Sequence, residues 1–372
     1  MNKSTIYSQY KLIKHLDSLM SWEETGETLP HAVDFNLTNK CNNKCPLCFD
    51  IGRSETDNTT MELSLVKHTV RQFKNVDIRT VVLGGGGDPV CHPNLSEIIR
   101  FIKSTGIQIG ISTNGHEMCD EVIDTIGSCC SFARVSLDAD GPEIYKRTHG
   151  MGEEVFMGVI GSIKKLVSAK RQHNNGDLVV GVCYLLGEHT MKGVYNATRM
   201  VKELGVDTIR IRPFYNWGNA RKPSETKLNC IIREIERCVN LGDKEFFVSA
   251  TTDRLELMSE NESGHNYKEC NVHHFYTVVT PDAKVYPCYV LKNKEEFCYG
   301  DLSIQSFKEI WESEQRKKAI RRIDLGECQS HCRFEKVNEF LFGIKTNQLL
   351  GGIKLSEILR SIKSPISHEN FL

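Results

Sequence analysis

Three cysteines near the N-terminus, Cys41, Cys45 and Cys48, lie within eight residues, separated by three and then by two residues. Three thiols this close together cannot each reach a separate disulfide partner in a compact fold, but they can bind one face of a metal cluster. A four-iron cluster held by three thiolates keeps one iron without a protein ligand, and that iron can bind a substrate or cofactor. The spacing therefore predicts a catalytic cluster.

Other interpretations of this segment remain open. Cysteine is often buried as a small hydrophobic residue, and Cys-x-x-Cys alone also occurs at zinc sites and in redox pairs. The polar neighbours Asn42, Asn43 and Lys44 are not typical of core packing. We therefore interpret the three cysteines as ligands of one cluster.

The Cys-x3-Cys-x2-Cys pattern resembles that of the radical S-adenosylmethionine (radical SAM) superfamily. The resemblance implies a [4Fe-4S] cluster whose open iron chelates S-adenosylmethionine (SAM). It also implies one-electron cleavage of SAM to a 5'-deoxyadenosyl radical, which abstracts hydrogen from a substrate carbon. A flavodoxin- or ferredoxin-type electron donor is implied in the same way.

Composition limits the other classes of function. Lys plus Arg number 47 and Asp plus Glu 48, so the chain has no large charge excess for attracting nucleic acid or an anionic membrane. The first twenty residues are interrupted by charges, which disfavours a signal peptide, and no apolar run reaches membrane-spanning length. Fifteen cysteines in such a chain favour metal ligation in a reducing compartment. We predict a cytoplasmic protein.

From residue 31, short apolar segments alternate with segments of helical periodicity. We predict six strands, at residues 32–37, 80–83, 107–112, 132–137, 178–186 and 208–213. Right-handed strand–helix–strand units of this kind form a parallel sheet, here a partial (β/α)6 barrel of the α/β class. The predicted divisions are an N-terminal amphipathic helix in 1–30, the barrel in 31–222, a small α+β domain in 223–340 and a helical tail in 341–372.

Polar and glycine-rich motifs follow the predicted strands at their carboxyl ends, where barrel enzymes place their sites. The resemblance implies that several of these residues bind SAM: Gly85, Gly86, Gly87, Asp88, Ser112, Asn114, Ser136 and Arg147. Glycines allow close approach to a ligand, and the forked donors of arginine suit a carboxylate. A plain turn at the glycines or at Asn114-Gly115, and a solvated helix face at Arg147, are the structural alternatives.

The fifth predicted strand carries Cys183 and Tyr184, which alternation sends to opposite faces. A cysteine or tyrosine pointing into the barrel could return a hydrogen atom to a substrate radical. We predict both as candidate catalytic residues, with ordinary core packing as the alternative.

A second set of cysteines lies beyond residue 222, partly on a predicted hairpin with its turn at 281–284: Cys270, Cys288, Cys328 and Cys332. Their order resembles the auxiliary-cluster extension of the radical SAM family, called SPASM, and its shorter twitch form. The resemblance implies a second [4Fe-4S] cluster, with Cys298 as a possible substitute ligand. Four thiolates also make a closed zinc site.

The resemblance implies a radical SAM oxidoreductase or isomerase. We predict that it oxidises or epimerises a small polar, sugar-like molecule, because about thirty residues before the barrel are too few for the leader-binding domain of similar peptide-modifying enzymes. Modification of peptide or protein side chains, as in ribosomal peptide or sulfatase maturation, is the first alternative. A non-catalytic iron-sulfur or zinc-binding protein is the second.

Overall fold

The computed structural model describes residues 11–46, 48–50, 56–187, 189–213, 225–250, 265–328 and 332–346. Within these residues, ten strands form one sheet in the order β10-β9-β8-β1-β2-β3-β4-β5-β6-β7. The strands are β1 (Ala32–Phe35), β2 (Thr80–Leu83), β3 (Gln108–Thr113), β4 (Phe132–Ser136), β5 (Val179–Leu186), β6 (Thr208–Pro213), β7 (Phe247–Ala250), β8 (Tyr276–Val279), β9 (Lys284–Tyr286) and β10 (Gly300–Asp301). Neighbouring strands from β1 to β7 pair in parallel, and β8 pairs in parallel with β1. β9 pairs antiparallel with β8 on one side and with β10 on the other.

Most of the helices lie between successive parallel strands and cover one face of the sheet, whereas the first helix precedes β1 and the last three follow β10. Among the described residues they are α1 (Leu16–Thr25), α2 (Leu63–Asn75), α3 (Leu95–Ser104), α4 (Asp120–Cys129), α5 (Pro142–His149), α6 (Glu153–Gln172), α7 (Val194–Glu203), α8 (Glu225–Val239), α9 (Phe307–Glu312), α10 (Glu314–Arg321) and α11 (Glu335–Lys345). None of these helices is long and apolar enough to cross a bilayer.

The two faces of the sheet differ in chemistry because successive strand residues point in opposite directions. Val135, Val182 and Ile209 belong to the buried core shared with the helices, and burying each such side chain contributes about 1.5–3 kcal/mol. Their neighbours in sequence on the other face are polar and only half-buried, as at Ser136, Cys183 and Arg210. We call this inner face of β1 to β7 the lumen.

The predicted α/β fold and parallel sheet are confirmed, and all six predicted strands are present. The predicted end of the barrel at residue 222 is wrong, because α8 and β7 continue the sheet and β7 pairs in parallel with β6. β7 is as short as β2, but only one of its residues, Val248, is buried, so it lacks the alternating or continuous apolar pattern of a core strand. No sequence pattern indicated α5, and among the described residues α1 begins at Leu16. Residues 1–10 and 347–372 lie outside the described part of the chain.

The predicted C-terminal hairpin is formed by β8 and β9, and β8 lies beside β1 with Ala32 opposite Tyr276. The C-terminal segment therefore extends the barrel sheet instead of standing apart from it. Ala283 in the hairpin turn has φ of 64°, a left-handed conformation that glycine adopts more readily. A second core holds α1 and α11 against this region, with Trp22, Phe275 and Phe340 buried in it.

Candidate functional site

The first cysteine loop leaves the carboxyl end of β1. Cys41 and Cys45 are half-buried and Cys48 is exposed. Burial raises the pKa of the Cys45 thiol, and the neighbouring Cys48 and Cys41 raise that pKa further. The three thiols therefore lie close enough to influence one another, as ligands of one cluster must.

Residues 84–88, which follow β2 and which we call the glycine segment, pack on this loop through backbone contacts. The Gly87 amide donates to the Thr38 carbonyl at 2.9 Å, and the Asp88 amide donates to the Lys40 carbonyl at 2.8 Å. A Cβ atom on Gly87 would lie 1.8 Å from the Lys40 carbonyl oxygen. Glycine is therefore required at position 87 so that the glycine segment can pack against the cysteine loop.

Gly85 and Gly86 meet protein atoms in the same way. Gly85 has φ of 79°, and a Cβ there would lie 1.0 Å from the Tyr289 hydroxyl oxygen. Gly86 has φ of 74°, and its Cβ would lie 2.6 Å from Asn39 Oδ1. Both positions combine left-handed backbone with close approach, which only glycine tolerates without strain.

Asp88 is a buried carboxylate that organises the end of β3. Its Oδ1 accepts hydrogen bonds from the Val90 amide at 3.0 Å and the Thr113 hydroxyl at 2.9 Å. Its Oδ2 accepts from the Asn114 amide at 2.6 Å. Both oxygens therefore bind protein donors, and Asp88 acts by positioning other groups.

Asn114 continues this network to the cysteine loop. Its Nδ2 donates to Asn42 Oδ1 at 2.8 Å and lies 3.7 Å from Cys41 Sγ, within reach of a weak N–H···S bond. Asp88, Asn114 and Cys41 thus form one connected group across β2, β3 and the cysteine loop.

The other predicted SAM-binding residues lie around the same end of the sheet. Ser112 Oγ accepts from Arg134 at 3.0 Å, and Ser136 is half-buried opposite Cys183. Arg147 is exposed on α5. This helix is attached to the cysteine loop, since the Lys44 amide donates to the His149 carbonyl at 3.3 Å.

The two predicted catalytic residues, Cys183 and Tyr184, lie on opposite faces of the sheet. Cys183 is half-buried in the lumen, level with Ser136 and with Arg210 in the strand register. Tyr184 is fully buried in the core shared with the helices, and its hydroxyl donates to the Thr190 carbonyl at 2.7 Å. Tyr184 therefore faces away from any substrate in the lumen, which corrects its assignment as a catalytic residue.

The second set of thiols also converges. Burial raises the pKa of Cys270, and nearby Cys332, Cys288 and Cys328 raise that pKa further. Asn338 on α11 lies with its Nδ2 3.7 Å from Cys270 Sγ, and N–H groups directed at cluster sulfurs tune redox potential.

Cys298 packs on the same second core as Cys270, Cys288 and Cys332. Its thiol donates to the Gly300 carbonyl at β10, at 3.5 Å. The role of Cys298 as a substitute ligand stays a prediction.

Buried polar contacts join the two thiol sets. The Tyr289 hydroxyl, next in sequence to Cys288, lies 3.0 Å from Asn36 Oδ1 and 3.1 Å from the Gly84 carbonyl. Lys292 pairs with Asp50 at 2.8 Å, and both side chains are largely buried. Breaking a buried pair by removing one partner costs about 3–5 kcal/mol, so these contacts fix the C-terminal segment against the cysteine loop.

A further buried contact links the second set to β1. Asp34 in the lumen accepts from Arg333, next to Cys332, at 2.9 Å and from the Tyr276 hydroxyl at 2.6 Å.

Sequence reasoning missed two features of the site. The Arg333–Asp34 contact joins residues 299 positions apart, which no local pattern reveals. Cys91 fits no ligand spacing in the sequence, but the pKa of its thiol is raised to about 11, mainly by burial and also by nearby Asp88 and Cys41. Cys91 thus lies beside the cysteine loop, and its position after the glycine segment was the only available signal.

The donor sets fit iron-sulfur clusters. Across the described residues, no three Cys, His, Asp or Glu side chains are grouped tightly enough to hold one metal ion. Ligands of a four-iron cluster stand wider apart, since each binds a different iron. Asn36 Nδ2, buried beside the glycine segment, has no hydrogen-bond partner among these residues, so a polar ligand could satisfy it.

Relatives of known function resemble the chain along most of its length. The tungsten-containing aldehyde ferredoxin oxidoreductase cofactor-modifying protein of Pyrococcus furiosus is 22% identical over 300 residues, 75% of this chain and 80% of that protein. The AdoMet-dependent heme synthase of Methanosarcina barkeri is 20% identical over 326 residues, 83% of this chain and 90% of that protein.

Among solved structures, Streptococcus suis SuiB bound to its precursor peptide SuiA has a TM-score of 0.65 and covers 88% of this chain and 75% of its own. At 12% sequence identity, this likeness shows the fold alone.

Residues 35–189 match the family model of the radical SAM superfamily, and residues 270–333 match that of an iron-sulfur cluster-binding domain. The first domain uses a [4Fe-4S] cluster and SAM, and the second carries auxiliary iron-sulfur clusters. The first match contains Cys41, Cys45, Cys48 and the glycine segment, and the second contains the four later thiols. The chain therefore carries a radical SAM domain and, C-terminal to it, an iron-sulfur cluster-binding domain.

Proposed function

We propose that this radical SAM enzyme acts on a small polar molecule held in the lumen, which it oxidises or epimerises. Cys41, Cys45 and Cys48 hold the cluster that binds SAM. The observation that carries the proposal is the seating of their loop on the glycine segment, at the carboxyl end of a polar lumen. The cluster with bound SAM supplies a 5'-deoxyadenosyl radical that abstracts a hydrogen atom from carbon.

The residues of the chain divide the remaining work. The glycine segment, Ser112, Asn114, Ser136 and Arg147 bind and orient SAM, and Asp88 positions Asn114. Cys270, Cys288, Cys328 and Cys332 hold the auxiliary cluster, which the Arg333–Asp34 contact ties to the lumen.

Replacing Asp88 with asparagine tests its positioning role. The introduced amide has only one acceptor oxygen where the Asp88 carboxylate accepts three hydrogen bonds on two oxygens, so at least one buried donor loses its partner. Such a loss costs about 1–3 kcal/mol. We expect SAM to bind about tenfold more weakly, measured by equilibrium dialysis with radiolabelled SAM. Glu117→Gln, at an exposed site, is the control, and equal SAM affinity in both variants would contradict the role.

A small substrate is supported by the two relatives, since one is named for modifying a cofactor and the other for making heme. A peptide substrate is the second candidate, since SuiB, whose fold is similar, was solved bound to its precursor peptide. The thiol pattern also fits a non-catalytic iron-sulfur protein, which would not cleave SAM.

The test of the proposal uses anaerobically reconstituted enzyme with dithionite and SAM, to which a deproteinised metabolite fraction or a peptide fraction is added. We expect the metabolite fraction to raise the yield of 5'-deoxyadenosine above that of enzyme alone. A rise with peptides only would favour the second candidate. No 5'-deoxyadenosine from iron-loaded protein would leave the non-catalytic alternative.

Cys183 provides a test between epimerisation and oxidation. In epimerisation its S–H gives a hydrogen atom to the substrate radical, and the resulting thiyl takes up one electron and one proton. In oxidation the substrate radical would instead give up one electron and one proton; a cluster held by Cys270, Cys288, Cys328 and Cys332 would supply the electron acceptor, and the proton would pass to solvent. For epimerisation we expect Cys183→Ala to reduce product formation by about a hundredfold or more, with 5'-deoxyadenosine still formed.

The control for Cys183 is Cys119→Ala, which removes an exposed thiol. In D2O, donation from the exchangeable thiol would add one deuterium to the product carbon, which mass spectrometry detects. An unchanged rate and no deuterium in the product would remove Cys183 from the reaction.

The proposal includes the cell compartment and the electron source. The chain has fifteen cysteines, and the seven assigned as cluster ligands suit a reducing compartment. We therefore place the enzyme in the cytoplasm with a flavodoxin or ferredoxin as its reductant.

A further inference from the structure

Positive charge is concentrated in the lumen on the side of β4 to β6. Among the described residues of these strands, the arginines are Arg134, Arg210 and Arg212, and all three are half-buried. Their sequence neighbours Val135, Ile209 and Ile211 belong to the core shared with the helices. Because strand residues alternate between faces, the three guanidinium groups lie on the lumen side.

The strand register places these arginines beside Cys183. Cys183 is paired with Arg210 on one side and with Ser136 on the other. Arg212 lies beside Leu185, two residues further along, and Arg134 lies beside Ser112, to which it donates a hydrogen bond at 3.0 Å. Neighbouring strands are about 4.8 Å apart, so Arg210 is next to the only lumen thiol on the described part of β5.

A fourth cation lies near these arginines. Lys11, in the 3-10 turn Lys11–Lys14 before α1, is buried. The pKa of Lys11 is lowered to about 7, mainly by burial and also by the positive charges of Arg210 and Arg134. Such mutual effects require proximity, so the N-terminal segment brings a further basic group to the same region.

The carboxylate on the opposite side of the lumen is already bound. Asp34 on β1 accepts hydrogen bonds from Arg333 and Tyr276. It belongs to the contact with the C-terminal segment, whereas the arginines lie on β4 and β6. The lumen therefore has two sides of different charge. On one side Asp34 is paired with Arg333, and on the other side the arginines of β4 and β6 lie near Cys183.

We propose that the lumen binds its substrate through an anionic group, a carboxylate or a phosphate, held by Arg210 and Arg134, with the adjoining carbon presented towards Cys183. This inference rests on the proposed function in one respect, which is that the lumen is the substrate site. Anion binding itself requires no radical chemistry. Guanidinium groups match the oxygens of both anions with paired donors, and a desolvated cleft strengthens the attraction.

The test uses Cys183 as a local reporter in the reconstituted enzyme. The thiol is alkylated with iodoacetate, an anion, and separately with neutral iodoacetamide, and each site is quantified by peptide mass spectrometry. The ratio of the two rates cancels differences in thiol reactivity and access. We expect this ratio at Cys183 to exceed that at exposed Cys119 by about tenfold, because basic clefts concentrate anions.

Five variants define the source of the effect. Arg210→Gln and Arg134→Gln should each lower the ratio at Cys183, and the double variant should bring it to the Cys119 value. Arg210→Lys keeps the charge and should retain most of the ratio, which guards against a folding defect. Arg199→Gln, on the exposed face of α7, should leave the ratio unchanged.

Competing anions distinguish the two ligand chemistries. Inorganic phosphate and acetate are added at equal ionic strength, and the stronger suppressor of iodoacetate labelling identifies the preferred group. Equal ratios at Cys183 and Cys119, or a Cys183 ratio unaffected by the double variant, would overturn the proposal. The proposal would also be overturned if phosphate weakened SAM binding to the same extent as it suppressed iodoacetate labelling of Cys183, since the cations would then belong to the SAM site. Failure to form 5'-deoxyadenosine would affect only the proposed function.

Discussion

Replacing Cys45 with alanine should reduce 5'-deoxyadenosine formation by more than about a hundredfold. Changes to residues that only orient metal ligands already cost about 10–100-fold, and Cys45 lies between the other two thiols in the loop, near both. With two protein ligands the cluster cannot be held with a single open iron. The measurement is 5'-deoxyadenosine released under dithionite, normalised to protein.

Two further variants serve as controls for Cys45→Ala. Cys119→Ala removes an exposed thiol and should leave the yield unchanged. Cys270→Ala removes a thiol of the second set; it should preserve SAM cleavage and, for an oxidation, stop product formation. Cleavage at the wild-type rate in Cys45→Ala would contradict the assignment of the first cluster.

Gly87→Ala should damage the site strongly, because the added methyl group meets backbone atoms. The added Cβ would lie 1.8 Å from the Lys40 carbonyl oxygen and 2.5 Å from the Asn39 carbonyl carbon, so backbone would have to move. Overpacking of this kind costs about 1–3 kcal/mol in the free energy of unfolding. A shift of about 1 Å between the glycine segment and the cysteine loop would lower SAM cleavage by about a hundredfold.

Gly158→Ala is the matched control for Gly87→Ala. Gly158 lies within α6, and a Cβ there meets nothing within 4 Å. Alanine is about 1 kcal/mol better than glycine inside a helix, so this variant should be slightly more stable with unchanged activity. Denaturant unfolding and the 5'-deoxyadenosine assay measure both effects. Equal behaviour of the two variants would show that the glycine segment needs no close approach.

The barrel strands were predictable because each is a short apolar run between helices of clear periodicity. β2 was predicted at residues 80–83 and observed at Thr80–Leu83, and β6 also matches its predicted range. β7 has the same length as β2 but was missed because only Val248 in it is buried, although it pairs with β6 in the same sheet. The local signal of a strand therefore decides whether sequence can reveal it.

The thiol sets were predictable because cysteines at close spacing are chemically specific. The roles of individual side chains were less so, since they depend on contacts between distant segments. Asp88 was expected to touch SAM, but its carboxylate binds Thr113 and Asn114 of the next strand end. Tyr184 was expected near the substrate, although the register of β5 directs it to the helices. Sequence alternation separates Cys183 from Tyr184 but does not say which one faces inward.

The join between the two domains depends wholly on tertiary structure. Tyr289, Lys292 and Arg333 each reach residues more than two hundred positions away, at or near the first cysteine loop. No spacing rule predicts such pairs. They explain why the C-terminal segment continues the barrel sheet.

The most direct test of the central claim is electron-nuclear double resonance on the reduced, anaerobically reconstituted enzyme with SAM labelled with ¹⁵N at the amino group and ¹⁷O at the carboxylate. The predicted result is hyperfine coupling from both labels to a [4Fe-4S] cluster, lost in Cys45→Ala and kept in Cys270→Ala. A cluster signal that shows no coupling to either label would mean that its iron is fully bound by the protein, and would contradict the account.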